Sequence, residues 1–482
     1  MSRAFRHAIT QSMIAMGLSL SAVAAWAEVE LPTLGDTSSA LVSPAQEKIL
    51  GQRYLKLYRS QVPTSSDPLV ISYLEQLINQ LAPFSQLDDK RIDLVVVKND
   101  SLNAFAIPGG VMGVHTGVFN YAKSENQLSA IIAHEMGHLS QRHYARMLEQ
   151  QKNSTLPMLA GMIAGLALMA NNHSDSGMAA IMGTQAALQS SALRFSRENE
   201  QEADRIGMQT MIAASLDPYA ASDMFEEMLH ASGGSRRPPE YLLTHPVTER
   251  RVADARNRAM QFPRKAYPDN IEFQLMRSRV RVELEQTPQL AVKRFKSELE
   301  GDSPSPEASR YGLALAYSAT GQFDAARTTL QPLLEKDPAR ITYLIMSADI
   351  DIASERYKPA LELLDTQLKL NPDNYPLTIR YAEALMKAGL YARSAELLQR
   401  YSRKRNNDDY VWYLLAEVDG LNGHILGVHE ARAEYFIANG IYDKAQVQLR
   451  NALRLAKGNF QRSSILEERL RYVEREMQEM RF

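Results

Sequence analysis

The spacing of apolar residues changes along the chain and predicts different elements in successive segments. Residues 44–85 carry apolar residues at mixed spacings of three and four, which predicts helix. Residues 92–98 form a short apolar run, which predicts a strand. Residues 103–117 are similar but are interrupted by glycines and one proline, which favours an edge strand or a hairpin. This part of the chain therefore predicts helices beside a small sheet.

The next segment predicts two helices with a stretch of unusual composition between them. A strong helix is predicted over 124–150, because Ser124 and Gln127 form a capping-box pair ahead of an apolar stripe. A second helix, at about 195–214, carries a dense cluster of acidic residues. The stretch 156–193 is rich in Met, Ala and Gly, and a lid, an interfacial helix and a buried helix all remain open for it.

Beyond residue 270 the pattern is helical to the end and repeats every 34 residues. Aromatic residues recur at Phe323, Tyr357 and Tyr391, with small residues, prolines and glycines on the same grid. This period is typical of tetratricopeptide repeats, whose helix pairs stack into a curved solenoid. The Gly-x-Tyr pattern returns at Tyr442, one and a half periods after Tyr391, so the stack is expected to continue with a slip of one helix. An unrelated helical bundle is the weaker alternative.

The first residues have the pattern of a cleavable secretory signal. Arg3 and Arg6 precede an apolar run that ends in the small-x-small sequence of Ala25 to Ala27. A membrane anchor is the alternative, but the run is shorter than the ~20 apolar residues that span a bilayer. We therefore expect a signal peptide over 1–27 and export to a bacterial periplasm.

The composition is that of a globular protein, with 45% hydrophobic and 23% charged residues among 482. The formal net charge of −2 argues against a nucleic-acid binder that neutralises phosphates. Cysteine is absent, which excludes disulfides, cysteine-ligated metals and thiol nucleophiles. A metal site in this chain must therefore be built from histidines and carboxylates.

The strongest chemical signal is the sequence His-Glu-Met-Gly-His within the helix predicted over 124–150. His134 and His138 are one turn apart, so both imidazoles can reach one zinc ion at ~2.0–2.1 Å. Glu135 lies beside them, where it can take a proton from a water activated by the metal. A surface helix with incidental polar residues is the alternative. Apolar flanking residues favour a buried helix instead, in which these groups need a partner.

A third metal ligand is expected from the acidic helix. His143 follows His134 by nine residues, which on a continuous helix turns it away from the metal. Glu200 and Asp204 are four apart and share a face, whereas Glu202 projects elsewhere. Glu200 could ligate the metal while Asp204 orients a ligand imidazole. The alternative is a solvated acidic helix start.

The motif from His134 to His138, followed by Glu200 and Asp204, resembles the M48 family of gluzincin metalloproteases. The resemblance implies peptide-bond hydrolysis with one zinc ion per chain, held by His134, His138 and Glu200. It implies that Glu135 acts as general base and then as general acid.

Two further elements resemble that family. The sequence Thr-His-Pro around His245, followed by Arg251, is similar to its His-Pro…Arg element. His245 then either stabilises the oxyanion or occupies the open coordination site of a latent enzyme, with a structural loop histidine as the alternative. Arg251 is expected to support the metal site rather than to react. A strand edge that adds substrate as an extra strand is expected at Asn103, Ala104, Phe105 and Ala106.

The predicted fold is mainly α: a zincin-type α+β metalloprotease domain with a small sheet over 28–265, then an α-solenoid of tetratricopeptide repeats over 270–482. Resemblance to exported family members with such repeats implies degradation of misfolded or stalled outer-membrane β-barrel proteins and assistance to their assembly. It also implies contact with the outer-membrane assembly machinery through the repeats, and a contribution to outer-membrane integrity. A chaperone or assembly adaptor with a latent protease site is the alternative. No nucleic-acid partner is expected.

Overall fold

The computed structural model describes residues 43–150, 197–233, 239–301 and 303–479. The predicted signal segment and the stretch 156–193 lie outside these residues. Within the described ranges, no helix combines the length and the apolar character that a membrane crossing requires.

The region predicted as helical over 44–85 is confirmed, but it forms two helices. They are α1 (Pro44–Gln61) and α2 (Pro68–Leu81), and a short 3-10 turn follows α2. The break falls at Val62, whose backbone is extended because the next residue is proline. Asp67 then caps α2 by accepting from the backbone N–H of Leu69 at 3.0 Å.

The predicted strand and hairpin are both confirmed in a three-stranded sheet. The strands are β1 (Asp93–Val97), β2 (Ala104–Ile107) and β3 (Val111–His115), in the order β1-β3-β2. β1 runs parallel to β3, and β2 runs antiparallel to it. Within the described chain, β2 pairs on one side only and is therefore an edge strand.

The helix predicted over 124–150 begins as expected but is wrong as one continuous element. After α3 (Val118–Tyr121), α4 (Glu125–Ser140) starts at the cap Ser124, and a separate helix, α5 (His143–Gln150), follows it. The break is at Arg142, whose φ of 50° is left-handed. An ion pair between the Arg142 guanidinium and Glu47, at 3.0 Å, holds this turn.

The helix predicted at about 195–214 is confirmed as α6 (Arg197–Ala213), which packs directly against α4. A Cβ on Gly137 would lie 2.9 Å from the carbonyl oxygen of Ala203, and one on Gly207 would lie 2.9 Å from the backbone nitrogen of His134. Both positions need glycine because the two backbones approach so closely. Short acidic side chains on α6 can therefore reach the imidazoles on α4. Next to this pair lie α7 (Ala220–Gly233), α8 (Glu240–Thr244) and α9 (Glu249–Ala259).

The repeat prediction is also confirmed. Phe323, Tyr357 and Tyr391 each begin a helix, and Tyr442 begins another after the slip. The twelve helices after α9 are α10 (Ile271–Leu284), α11 (Pro288–Glu300), α12 (Pro306–Ala319), α13 (Phe323–Lys336), α14 (Ile341–Ala353), α15 (Tyr357–Leu370), α16 (Tyr375–Lys387), α17 (Tyr391–Ser402), α18 (Asp409–Leu421), α19 (Ile425–Ala438), α20 (Tyr442–Leu455) and α21 (Phe460–Glu479).

The repeats pack against the first two helices. One apolar core runs from α2 and the sheet into the helices of the first repeats. Farther along, the Lys56 ammonium on α1 donates to the Tyr442 hydroxyl at 3.0 Å, and Arg59 donates to the carbonyl oxygen of Asn407 at 3.0 Å. The predicted boundary near residues 265–270 falls between α9 and α10, and the exact domain limits stay a prediction.

Candidate metal centre

The histidines and carboxylates singled out in the sequence come together in one buried cluster. His134, Glu135 and His138 lie on α4, Glu200 lies in the first turn of α6, and His245 follows the last residue of α8. None of these five residues is more than 5% exposed. Burial of so many polar groups requires that they bind something, either one another or an ion.

The distances between the donor atoms suit a single small ion. Nε2 of His134 and Nε2 of His138 are 3.0 Å apart. The Glu200 carboxylate oxygens lie 3.5 Å from the first and 3.4 Å from the second. Nδ1 of His245 lies 3.4 Å from Nε2 of His134 and 3.1 Å from Oε1 of Glu200. Four donors bound tetrahedrally at ~2.0–2.1 Å would be separated by about 3.3 Å, so this set fits a zinc-like ion.

The balance of charge also fits a divalent cation. Glu135, Glu200 and Asp204 contribute three carboxylates, whereas Arg251 is the guanidinium that contacts two of them. Among the described residues, none donates a hydrogen bond to either buried oxygen of Glu135. The carboxylates that surround the donors would favour a cation bound among them.

The pKa values reflect this crowding. Burial raises the pKa of Glu135 above its usual value. Burial also acts to raise the pKa of Glu200, but the imidazoles of His245, His134 and His138 outweigh it and hold that pKa well below the usual range. Burial lowers the pKa of His138 well below its usual value, which favours the neutral ring that a metal requires.

Asp204 and Arg251 support the His134 ring from the side opposite the other donors. Oδ1 of Asp204 lies 2.9 Å from Nδ1 of His134, the ring nitrogen that points away from the other donors. The Arg251 guanidinium donates to both Asp204 oxygens at 2.7 Å, and its NH1 lies 2.9 Å from Glu200. It also donates to the carbonyl oxygen of Pro246 at 2.9 Å. Arg251 thus ties α6, α9 and the loop of His245 together.

The expectation that His143 faces away from the metal site is wrong. His143 is not one of the four clustered donors, but its Nδ1 lies 2.8 Å from Nδ1 of His138. The prediction counted 100° per residue along one continuous helix from His134 to His143. The helix is in fact interrupted by the left-handed turn at Arg142, so this count does not apply. No local feature of the sequence signals this turn.

Sequence reasoning also missed Tyr241. Its ring stacks on His245 with centroids 4.7 Å apart, and its carbonyl oxygen accepts from the backbone N–H of His245 at 2.7 Å. The spacing of four residues between them was the available signal, since it places both on one side of a helical turn.

Glu135 and His245 both line a cleft of about 420 Å³. Asn103, Phe105 and Ala106 of the predicted substrate strand line it. Ala104 is fully buried and points to the core instead. The edge strand β2 therefore borders the same cleft as the clustered polar groups.

Two imidazoles from one helical turn, a carboxylate from α6 and a glutamate next to the first imidazole define a metallopeptidase of the His-Glu-x-x-His class. Residues 68–259 match the family model described as Peptidase family M48, and residues 351–418 match one described as Tetratricopeptide repeat. The chain belongs to the M48 metalloprotease family, which confirms the predicted class, and family membership implies a catalytic metal.

Similar proteins cover most of the chain. It is 34% identical over 419 residues to the beta-barrel assembly-enhancing protease of Escherichia coli O157:H7, spanning 86% of this chain and 85% of that protein. It is 32% identical over 417 residues to the protein of the same name from Yersinia pestis, spanning 85% and 84%. A mitochondrial metalloendopeptidase OMA1 from Schizosaccharomyces pombe is 28% identical over 218 residues, 45% of this chain and 59% of that protein. The first two matches extend through protease and repeats alike.

Proposed function

We propose that this protein is a periplasmic zinc metalloendopeptidase that degrades misfolded or stalled outer-membrane β-barrel proteins and assists their assembly. The observation that carries the proposal is that the edge strand β2 and Glu135 border one cleft. The names of the relatives from Escherichia coli and Yersinia pestis support the substrate class. Export by cleavage of residues 1–27 is part of the proposal.

The proposed ligands of one zinc ion are His134, His138 and Glu200. When bound, zinc supplies a Lewis acid that polarises the scissile carbonyl and lowers the pKa of the attacking water. Glu135 takes the proton of that water and passes it to the leaving nitrogen. Its carboxylate is suited to this exchange because it is buried beside the clustered donors and lines the cleft. Asp204 and Arg251 keep the ligand imidazole and Glu200 in place.

We assign to His245 the role of a removable fourth ligand. Its Nδ1 lies among the other donors, and its Nε2 lies 3.6 Å from Oε1 of Glu135. In that position the imidazole would occupy the space that a scissile carbonyl needs, which supports the proposal of a latent state. Substrate that enters along β2 would have to displace it.

We expect substrate to bind at the edge of β2, because within the described chain this strand pairs on one side only. An extended peptide that pairs with an edge strand binds through main-chain hydrogen bonds, which depend little on sequence. An unassembled β-barrel precursor exposes unpaired strand edges of its own. The chemistry of capture therefore suits a broad set of barrel proteins that have failed to close.

The repeats are proposed to contact the outer-membrane assembly machinery. A groove of about 720 Å³ lies between α17 and α21 and is lined by aromatic, acidic and basic side chains. Solenoids bind partners through extended concave surfaces of this kind. The groove lies away from the metal centre, so a partner can be held there while the cleft handles a substrate.

A chaperone or assembly adaptor with a mostly latent site is the second candidate. The position of His245 within the donor cluster favours it, because a blocked site would leave the repeats as the working surface.

The Glu135→Gln variant separates the two candidates. We expect it to keep stoichiometric zinc and the wild-type fold while its cleavage of an unfolded outer-membrane barrel protein falls by ~10²–10⁴-fold. Zinc is measured by elemental analysis and cleavage by gel, with an unfolded helical protein of similar length as the substrate control. Full restoration of outer-membrane integrity by this variant in a deletion strain would favour the adaptor. Absence of zinc from the wild-type protein would overturn the proposal.

A further inference from the structure

The metal ligand His138 has a second imidazole directly behind it. Nδ1 of His143 lies 2.8 Å from Nδ1 of His138, and the His143 ring is completely buried. On its other side, Nε2 of His143 lies 3.1 Å from Oε2 of Glu202. Glu202 in turn accepts from the Arg146 guanidinium at 2.7 Å. The contacts form one line from the metal centre to the protein surface.

The directions of the protons along this line follow from the chemistry of His138. Its Nε2 faces the other donors, so that atom must offer a lone pair to the metal and Nδ1 must carry the proton. That N–H can donate to His143 only if Nδ1 of His143 is unprotonated. The proton of His143 is then on Nε2, where it donates to Glu202. Each tautomer in the line is thereby fixed by its neighbour.

Both histidine ligands are therefore connected to a carboxylate through the ring nitrogen that faces away from the metal site. His134 reaches a carboxylate directly, at Asp204, and that carboxylate is held by Arg251. His138 reaches its carboxylate through an additional ring. Both carboxylates lie on α6 and are two residues apart. This arrangement needs the break in the helix at residue 142, because only the turn brings the first residue of α5 back against α4.

We propose that His143 is a positioning residue that fixes the tautomer and ring orientation of His138, and that Glu202 and Arg146 hold it there. The inference deepens the metal site of the proposed function and rests on it. Partners of this kind typically contribute ~10–100-fold to metal affinity, because a misoriented or wrongly protonated ligand must be corrected before it binds.

The test measures zinc affinity by competition with a chelator, and coordination geometry by the visible absorption of the cobalt-substituted protein. His143→Phe fills the volume but accepts no hydrogen bond, so we expect ~10–100-fold weaker zinc binding and an altered cobalt spectrum. His143→Asn places an amide oxygen near the lost Nδ1, and we expect affinity within ~threefold of wild type. Glu202→Leu removes the acceptor of the His143 Nε2 proton and should weaken binding, whereas Glu198→Leu, a change of an exposed carboxylate on the same helix, should leave it unchanged.

The outcomes distinguish this inference from the proposed function. If wild-type protein binds no zinc, the metal site itself is wrong. If wild type binds zinc and His143→Phe binds it equally tightly with the same cobalt spectrum, His143 has no positioning role. Melting temperatures of the metal-free variants identify any that fail to fold. In that event Glu202→Leu decides, and affinity equal to that of Glu198→Leu overturns the proposal.

Discussion

Two clusters of largely buried charged residues in this molecule differ in how their acidic and basic groups are paired. Where α2 meets the repeats, Arg279 pairs with Asp67 and lies 3.8 Å from Asp349, which is 3.5 Å from Arg380. Acidic and basic groups alternate there. At the metal centre, one guanidinium contacts two of the three carboxylates, and the third, Glu135, lies 3.6 Å from Nε2 of His245. Every charge in the first cluster has an oppositely charged neighbour, whereas in the second the carboxylates outnumber the guanidinium groups.

The comparison separates stability from function. Removal of one member of a balanced buried pair leaves an opposite charge without a partner, and this is strongly destabilising. Removal of Glu200 from the metal centre leaves Arg251 paired with Asp204, so the loss of folding stability in the metal-free protein should be smaller. The same kind of substitution should therefore affect folding in one cluster and metal binding in the other.

The largest effect is expected at the metal centre. Glu200→Gln should lose stoichiometric zinc and reduce proteolysis to background, because it removes the anionic ligand. The free energy of unfolding of the metal-free protein should change by less than about 2 kcal/mol, the scale of one or two hydrogen bonds. Elemental analysis, proteolysis assays and urea denaturation measure the three quantities. Retention of zinc at the wild-type level would remove Glu200 from the ligand set.

The second effect concerns the balanced cluster. Arg279→Met should lower the free energy of unfolding by ~3–5 kcal/mol, because it leaves Asp67 buried without its cation. The loss should be the same with and without zinc. Urea denaturation of both forms measures it, and a loss below about 1 kcal/mol, the value of an exposed pair, would show that the cluster is solvated.

The third effect tests latency. His245→Ala should raise basal cleavage of an unfolded substrate several-fold, because it clears the position that a substrate carbonyl must take. Zinc should remain bound through the other ligands. Initial rates on a fluorescent unfolded substrate provide the measurement, with zinc content determined on the same samples. A lower rate at full zinc occupancy would instead assign His245 to oxyanion stabilisation.

The smallest effect is a control on the surface of the repeats. Lys369 pairs with Asp365 one helical turn away, and its side chain is 74% exposed. Lys369→Gln should change the free energy of unfolding by no more than ~0.5 kcal/mol, because water screens the pair. A loss comparable to that of Arg279→Met would mean that burial does not explain the effect of Arg279→Met on stability.

Part of the site is already encoded in short stretches of sequence. The spacing of His134, Glu135 and His138 fixes their relative positions wherever a helix forms, since one turn spans the motif. The spacing of Glu200 and Asp204 acts in the same way on the next helix. The 34-residue period likewise predicts the helix starts at Phe323 and Tyr357, because each repeat is a local unit.

Contacts between distant segments decided the rest. The left-handed turn at Arg142 is paired with Glu47, far away in the sequence, and it places His143 against His138. The close approach of α4 and α6 depends on Gly137 and Gly207, each of which lies against the backbone of the other helix.

The sequence by itself therefore determined the chemistry of the donors and the helices that carry them, because both depend on neighbours within a turn or a repeat. Only the tertiary structure decided which donors meet and which histidine lies behind another. These properties depend on how separate helices pack, and the spacing of residues within one helix does not indicate which helix packs against it.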